Sequence, residues 1–310
     1  MIHLIKEVHD LADLIDAVDN EYVNIDEDRY FEMVEFMKKR PPKQRQVDEN
    51  KIDPSNLKVQ EFILKELVAD SVNYCYWVYD SDIRPNNSGS TRMRELLNEN
   101  FQADMAMRSQ IDFEYQLRRF YSAMMLNRFP LMDKRLKHLM ALARPVVVRD
   151  ASASMPYEGS PVGFVLVDMV SCGTDFNRAF DFLVTQCDGF GDDPFLKRAI
   201  LFFMQMNRIL GLYEEDIKQF PIPADYQVPK MLNAYGITKY AQFLDQLIYN
   251  GAHLLENSPA EMAIRATSIV TCRTLAKDLG WSSADVDGWF FTRRKEFTHT
   301  KHHCCITSNY

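Results

Sequence analysis

The helical pattern that decides the fold class is clearest in IHLIKEVHDLADLIDAV, residues 2–18. Apolar side chains recur there at intervals of three and four residues, which places them on one face of an α-helix. Few glycines and prolines, 11 and 13 in 310 residues, together with 20 phenylalanines, fit long helices with bulky packing faces. The apolar positions are Leu4, Ile5, Val8, Leu11, Leu14, Ile15 and Val18.

The same period predicts helices along most of the chain. One opens at residues 54–56, whereas residues 164–170 fit either a strand or a helix. No internal repeat or low-complexity linker divides the chain, so we expect one mainly α domain with a few short strands over residues 1–310. Residues 1–55 are expected to form a helical N-terminal extension packed on it. The other predicted helices cover residues 26–39, 92–98, 113–126, 132–143, 175–187, 194–212, 228–234, 238–248, 259–279 and 283–295.

The formal net charge of −8 argues against non-specific binding to nucleic-acid backbones, which needs clustered Lys and Arg, and suits a small ligand. The N-terminus lacks a secretory apolar core, and the most apolar window, residues 199–213, is interrupted by Gln205, Asn207 and Arg208. The six cysteines form no C-x-x-C pair, as expected in a reducing compartment. We therefore expect a cytoplasmic protein whose partner is a small molecule, with neither nucleic-acid nor membrane partner.

A candidate catalytic loop lies in residues 223–230, PADYQVPK. Its prolines restrict the backbone, and such a loop can hold the carboxylate of Asp225 beside the ring of Tyr226 in one orientation. The same aspartate stands directly before a predicted helix, where capping is the commoner role. A reactive carboxylate and a helix cap are therefore both open at this position.

Residues 70–77, DSVNYCYW, combine polar and aromatic side chains at the end of a predicted helix. Asp70 and Asn73 are three residues apart, so on a helix they share one face. The aromatic rings beside them can stack on a flat base. The alternative is a buried aromatic cluster with two satisfied polar groups.

Residues 192–199, DDPFLKRA, place Lys197 and Arg198 in the first turn of a predicted helix. Cations at this end oppose the helix dipole, which indicates an anionic ligand. The alternative is a solvated charged turn in which the two preceding aspartates pair with these cations.

The tail carries adjacent histidines and cysteines in residues 302–305, HHCC. These are metal-ligating residue types, but they lack the second spaced pair that structural zinc sites use. We therefore expect no metal.

Five segments, in one order along most of the chain from residue 56, resemble motifs of the queuosine salvage family, the queuosine 5′-phosphate N-glycosylase/hydrolases. Several motifs in register are far more specific than any one alone. Residues 70–77 resemble Asp-Ser/Thr-hydrophobic-Asn-aromatic-Ser/Cys-aromatic-Trp. Residues 195–199 resemble the aromatic-Lys-Arg-Ala run, with Leu196 in place of the usual aromatic before the lysine. Residues 224–230 resemble Ala-Asp-Tyr-Arg-Ile-Pro-Gln, residues 235–240 Leu-Gly-x-x-x-Tyr, and residues 261–266 Glu-x-x-Ile-Arg-Ala/Gly.

The resemblance implies a largely helical fold, similar in its core to helix-hairpin-helix DNA glycosylases. It implies hydrolysis of a nucleotide to free queuine and ribose 5-phosphate, without a metal or another cofactor. It makes Asp225 the essential carboxylate and Lys197 its cationic neighbour at the ribose phosphate. The candidates for substrate binding are Asp70, Asn73, Tyr74, Tyr76, Trp77, Tyr226, Arg198, Lys230 and His303.

The chemistry agrees with these assignments. Breaking an N-glycosidic bond builds positive charge at C1′, which a carboxylate stabilises while it takes a proton from the attacking water. A 7-deazapurine has carbon in place of N7, so protonation there cannot help the base to depart. Aromatic rings suit the flat base, and Asp70 suits the cationic amine of the queuine side chain.

The C-terminus departs from the family pattern, His-Arg-Thr-Arg-Thr-x-x-Tyr. Cys304 and Ile306 stand at its two arginine positions, which weakens the expected preference for the 5′-phosphate over the free nucleoside. Two other functions stay open, a DNA-repair-type N-glycosylase on a modified base and a catalytically inactive helical module that binds a base. The net charge counts against the first of these.

Overall fold

The computed structural model describes residues 3–18, 21–42, 56–76, 89–147 and 158–310. Helices make up most of these residues and the strands are short, which confirms the predicted mainly α class. None of the helices in these ranges combines the length and the apolar composition needed to cross a bilayer.

The chain divides into two compact units. The terminal unit contains residues 1–48, 213–308 and 310, and the middle unit contains residues 49–212 and 309. Each unit is described by itself. The assignment of residues 1–310 to a single domain stays a prediction, and part of its N-terminal extension, residues 43–55, lies outside the described residues.

The terminal unit is built around one long helix. In chain order its elements are α1 (His3–Val18), β1 (Val23–Ile25), α2 (Glu27–Lys38), α11 (Glu214–Ile217), α12 (Gln227–Ala234), β2 (Thr238–Tyr240), α13 (Gln242–Tyr249), β3 (His253–Leu254), α14 (Pro259–Leu279), α15 (Ser283–Arg293) and β4 (Cys304–Cys305). The long helix α14 follows the N-cap Ser258 and ends at Gly280, whose φ of 68° lies in the left-handed region. Because α1, α2, α12 and α15 all pack on it, some of its polar residues, Glu261 and Arg265 among them, are buried and need partners.

The middle unit consists of helices in its described part. They are α3 (Leu57–Ser71), α4 (Gly89–Asn100), α5 (Ala103–Ala106), α6 (Gln110–Leu126), α7 (Met132–Ala143), α8 (Val162–Ser171), α9 (Phe176–Gln186) and α10 (Lys197–Leu210). The central helix α3 starts at the N-cap Asn56, whose side chain accepts from the amide of Lys58. It packs against α8 and α10, so its C-terminal end lies in the core of the unit.

Four predicted helices are wrong by three residues or more at their N-terminal ends. Helices α4 and α6 begin at Gly89 and Gln110, three residues before the predicted starts at 92 and 113. The helix predicted over residues 238–248 is broken, because residues 238–240 form strand β2, antiparallel to β1, and α13 begins only at Gln242. The helix predicted from residue 194 begins at Lys197, because Leu196 adopts a left-handed conformation with φ of 49°. The ambiguous residues 164–170 are helical, within α8.

Candidate functional site

Asp225 lies at the end of the loop that leads into α12 in the terminal unit. Its Oδ1 accepts from the backbone amide of Gln227 over 2.7 Å, and the residue is half-buried. Among the residues that the structure describes, no hydrogen-bond donor lies on Oδ2. Asp225 therefore contacts the first amide of α12 from the position before Tyr226, which is the N-cap residue. This contact uses one oxygen only, and the second oxygen is available to a substrate or a water molecule.

The loop before Asp225 is fixed by a buried arginine. Arg265 of α14 donates from Nε to the backbone oxygen of Ala224 over 3.0 Å, and its Nη1 lies 3.3 Å from Glu261 Oε1. Arg265, Glu261 and Ala224 are all fully buried. The sequence indicated Glu261 and Arg265 only as part of a motif. The hydrogen bond from Arg265 to Ala224 could not be predicted, because it depends on how α14 packs on the loop.

Tyr226 and His302 face each other beside Asp225. Their ring centroids lie 4.4 Å apart with an interplanar angle of 35°. Burial, reinforced by the charge of Asp225, raises the pKa of Tyr226 to about 12, so its phenol is neutral at ordinary pH. Lys230 lies in α12 and is half-buried. Burial, together with the charge of nearby Arg294, lowers the pKa of its ammonium group.

His303 lies in the core of the terminal unit rather than on its surface. It is fully buried, and its Nε2 lies 3.1 Å from the hydroxyl of Tyr310, the last residue. Burial lowers the pKa of His303 to about 3, and His302 and Arg265 act in the same direction, so the ring is neutral. In this conformation its ring supports the tail and is closed to a ligand.

Asp70 lies at the buried end of α3 in the middle unit. It is fully buried and accepts from Asn73 Nδ2 over 3.1 Å and from Gln205 Nε2 over 3.2 Å. Nη2 of Arg94 lies 3.8 Å from Oδ1 of Asp70. Burial raises the pKa of Asp70 to about 6, although the charge of Arg94 opposes the shift. The candidate for the queuine amine thus already has partners within the protein.

Asn73 links Asp70 to an aromatic side chain and to a lysine. Because α3 ends at Ser71, Asn73 lies beyond the helix, and the prediction that both residues share a helix face is wrong although they do meet. Tyr76 donates from its hydroxyl to Asn73 Oδ1 over 2.8 Å, and Lys197 Nζ lies 3.4 Å from the Asn73 backbone oxygen.

Tyr74 belongs to a cluster of cations and rings. Its side chain is fully buried, and the guanidinium carbons of Arg135 and Arg198 lie 4.5 Å and 4.8 Å from its ring centroid. His138 meets the ring edge-on at 5.5 Å. For this residue the buried alternative agrees with the structure, since no face of the ring is open to a base. Trp77 lies outside the described residues.

The first turn of α10 is buried, so the alternative of a solvated charged turn is wrong. Arg198 is 1% exposed and donates to the backbone oxygens of Ser71 and Gly189, which connects the C-terminal end of α3 to the turn that contains Gly189. Lys197 is 4% exposed. The carboxylate of Asp193 accepts from the amide of Lys197 over 2.9 Å. Asp193 therefore supplies part of the negative charge that was expected from a ligand at this helix end.

No group of three metal-ligating side chains suited to holding an ion occurs in the described ranges. In the tail, His302 Nδ1 lies 2.7 Å from the backbone oxygen of His303. With His303 Nε2 at Tyr310, each of the two imidazoles has a ring nitrogen in contact with the protein.

A match to a known protein family covers most of the chain. Residues 52–307 match the family described as queuosine salvage protein. A protein of Dictyostelium discoideum named queuosine 5′-phosphate N-glycosylase/hydrolase is 27% identical over 117 residues. That alignment covers 30% of this chain and 36% of the relative. The family match includes Asp70, Lys197 and Asp225.

Proposed function

The chain belongs to the queuosine salvage protein family, and on this premise we propose that it hydrolyses the N-glycosidic bond of queuosine 5′-phosphate or queuosine. The observation that carries the proposal is the carboxylate of Asp225, which has one oxygen fixed by a backbone amide and the other without a donor among the described residues. The name of the Dictyostelium relative supports the same reaction class.

In the proposed reaction, a water molecule attacks C1′ of the ribose while the bond from C1′ to the base nitrogen breaks. Asp225 stabilises the positive charge that develops on the sugar and takes one proton from the water. The electron pair of the broken bond leaves with the base, which gains a proton from solvent. The products are queuine and either ribose 5-phosphate or ribose.

The roles of the other candidates follow from their surroundings. The half-buried ring of Tyr226, paired with His302, is the proposed surface for the flat base. Lys197 is the proposed cation for the 5′-phosphate, as the family resemblance implies. Asp70 and Arg198 are buried and already bonded, so we propose that they position neighbouring groups. The similarity of the helical core to helix-hairpin-helix DNA glycosylases remains part of this proposal.

The test is to incubate the purified protein with queuosine, queuosine 5′-phosphate and guanosine monophosphate, and to measure the released base by mass spectrometry. We expect queuine from the first two compounds and no guanine from the third. Absence of queuine from both queuosine compounds would contradict the proposal. Release of guanine at a comparable rate would mean that the enzyme is a general nucleotide glycosylase.

A further inference from the structure

A buried ion pair lies directly behind the Asp225 loop. Glu261 and Arg265 are one turn apart on α14, and both are fully buried. Burying two charges is unfavourable unless further hydrogen bonds satisfy them, and a pair of hydrophobic residues often serves stability equally well. The pair therefore calls for an explanation beyond stability.

The guanidinium of Arg265 connects this helix to the loop. Its Nε donates to the backbone oxygen of Ala224, the residue immediately before Asp225. On the other side, the amide of Gln227 donates to the Asp225 carboxylate. The backbone before Asp225 and the side chain of Asp225 are thus fixed by separate hydrogen bonds, and the first of them depends on Arg265.

The last residue of the chain covers the guanidinium. The carbon at its centre, Cζ, lies 4.7 Å from the ring centroid of Tyr310, which is 1% exposed. The Tyr310 hydroxyl lies 3.1 Å from Nε2 of His303, which is also fully buried. The C-terminal segment is held to the unit through β4, which pairs in parallel with β3. The tail thus closes one side of the space around Arg265.

We propose that Glu261, Arg265 and Tyr310 form a positioning cage that holds the Asp225 loop in its reactive geometry. This inference rests on the proposed function. None of the three residues touches substrate, because all are buried behind the loop. They act through Ala224, so their loss lowers kcat while KM stays nearly constant.

The test compares Arg265→Met, Arg265→Lys and Tyr310→Ala with the control Arg273→Met. Arg273 lies on the same helix but is partly exposed and pairs with Asp13 of α1. We expect Arg265→Met to lower kcat by about 10- to 100-fold, the order of loss that follows from misplacing a reactive group by about 1 Å. The lysine variant should recover part of the loss, Tyr310→Ala should show a smaller loss in the same direction, and the control should keep its kcat.

Hydrogen–deuterium exchange of the amides of residues 224–228 provides a readout that needs no substrate. We expect faster exchange in Arg265→Met and in Tyr310→Ala, with no change in Arg273→Met. If Arg265→Met does not fold, Tyr310→Ala keeps both charges of the pair and decides the question. Unchanged exchange in the folded variants, or equal losses in kcat for Arg265→Met and the control, would overturn the cage. An inactive but folded wild-type protein would instead overturn the proposed function, and the exchange data would still decide the positioning.

Discussion

The backbone amide of Gln227 donates to Oδ1 of Asp225 over 2.7 Å, so the start of α12 orients the carboxylate through one oxygen only. An asparagine at this position keeps an oxygen for the same amide but loses the negative charge. The substitution therefore separates the capping role of the residue from its proposed chemical role.

We expect Asp225→Asn to lower kcat by about a thousandfold or more while substrate still binds. The variant should keep the wild-type melting temperature, because the contact with Gln227 is retained. Asp285→Asn is the matched control, since the exposed side chain of Asp285 in the same unit accepts from the backbone amide of Ser282, the N-cap of α15, in a capping box. Near-normal kcat in Asp225→Asn would reduce Asp225 to a helix cap.

Asp70 predicts a pH dependence of stability. Burial raises its pKa from 3.8 to about 6, so the folded protein binds this proton more tightly than the unfolded chain does. Its contribution to the free energy of unfolding is therefore full below about pH 4 and is lost as the pH rises through about 6. A shift of about two units corresponds to about 3 kcal/mol.

Urea unfolding between pH 4 and pH 7 tests this prediction with Asp70→Asn. The free energy of unfolding of the wild type, minus that of the variant, should fall by up to about 3 kcal/mol across this range. Asp104→Asn is the control, because Asp104 is an exposed carboxylate in the same unit. A difference that stays constant with pH, or that rises, would show that Asp70 is not protonated preferentially in the folded state.

The sequence predicted the helices well where their signals are local. The bounds of α7 and α14 match the prediction residue for residue, because α7 shows a regular apolar period, and α14 starts at a proline and is followed by a glycine. Strand β2 was missed because its partner, β1, lies more than 200 residues earlier in the chain. Pairing over such a distance leaves no periodic signal in a short window.

The sequence offered candidate site residues but not the environment of each side chain. Side-chain type and spacing marked Tyr74 and Arg198, yet only packing shows that Arg198 and Arg135 enclose the Tyr74 ring. The connection from Arg265 to Ala224 spans 41 residues and needs the folded helix to be recognised. Burial and long-range hydrogen bonds depend on tertiary packing, so the sequence alone could indicate candidate residues but not their surroundings.

A metal is not expected to take part in the reaction. In the tail, His303 Nε2 contacts Tyr310 and His302 Nδ1 contacts a backbone oxygen, so metal binding would have to displace these contacts. Dialysis against a chelator should therefore leave kcat unchanged, as measured by queuine release. Activity that is lost to the chelator and restored by zinc, with stoichiometric zinc in the untreated protein, would overturn this expectation.

The last prediction concerns Lys197 as the cation that binds the 5′-phosphate of the substrate. Its side chain is 4% exposed and lies near the Asn73 backbone oxygen, so it has a role within the protein as well as the one that the family resemblance implies. Lys197→Met is the preferred variant, because it retains most of the buried volume and removes the charge. Lys58→Ala, an exposed lysine at the start of α3, is the control.

We expect the wild-type protein to prefer queuosine 5′-phosphate over queuosine by a modest factor, since Cys304 and Ile306 replace the two family arginines. Lys197→Met should remove most of that preference by raising KM for the phosphate by about 10- to 100-fold, the value of one charge-assisted contact. KM for queuosine should change far less. The measurement is kcat/KM for both substrates in the wild type, the variant and the control. Equal losses on the two substrates would show that Lys197 acts through the buried network around Asn73 and Asp70, and that the phosphate is bound by another group.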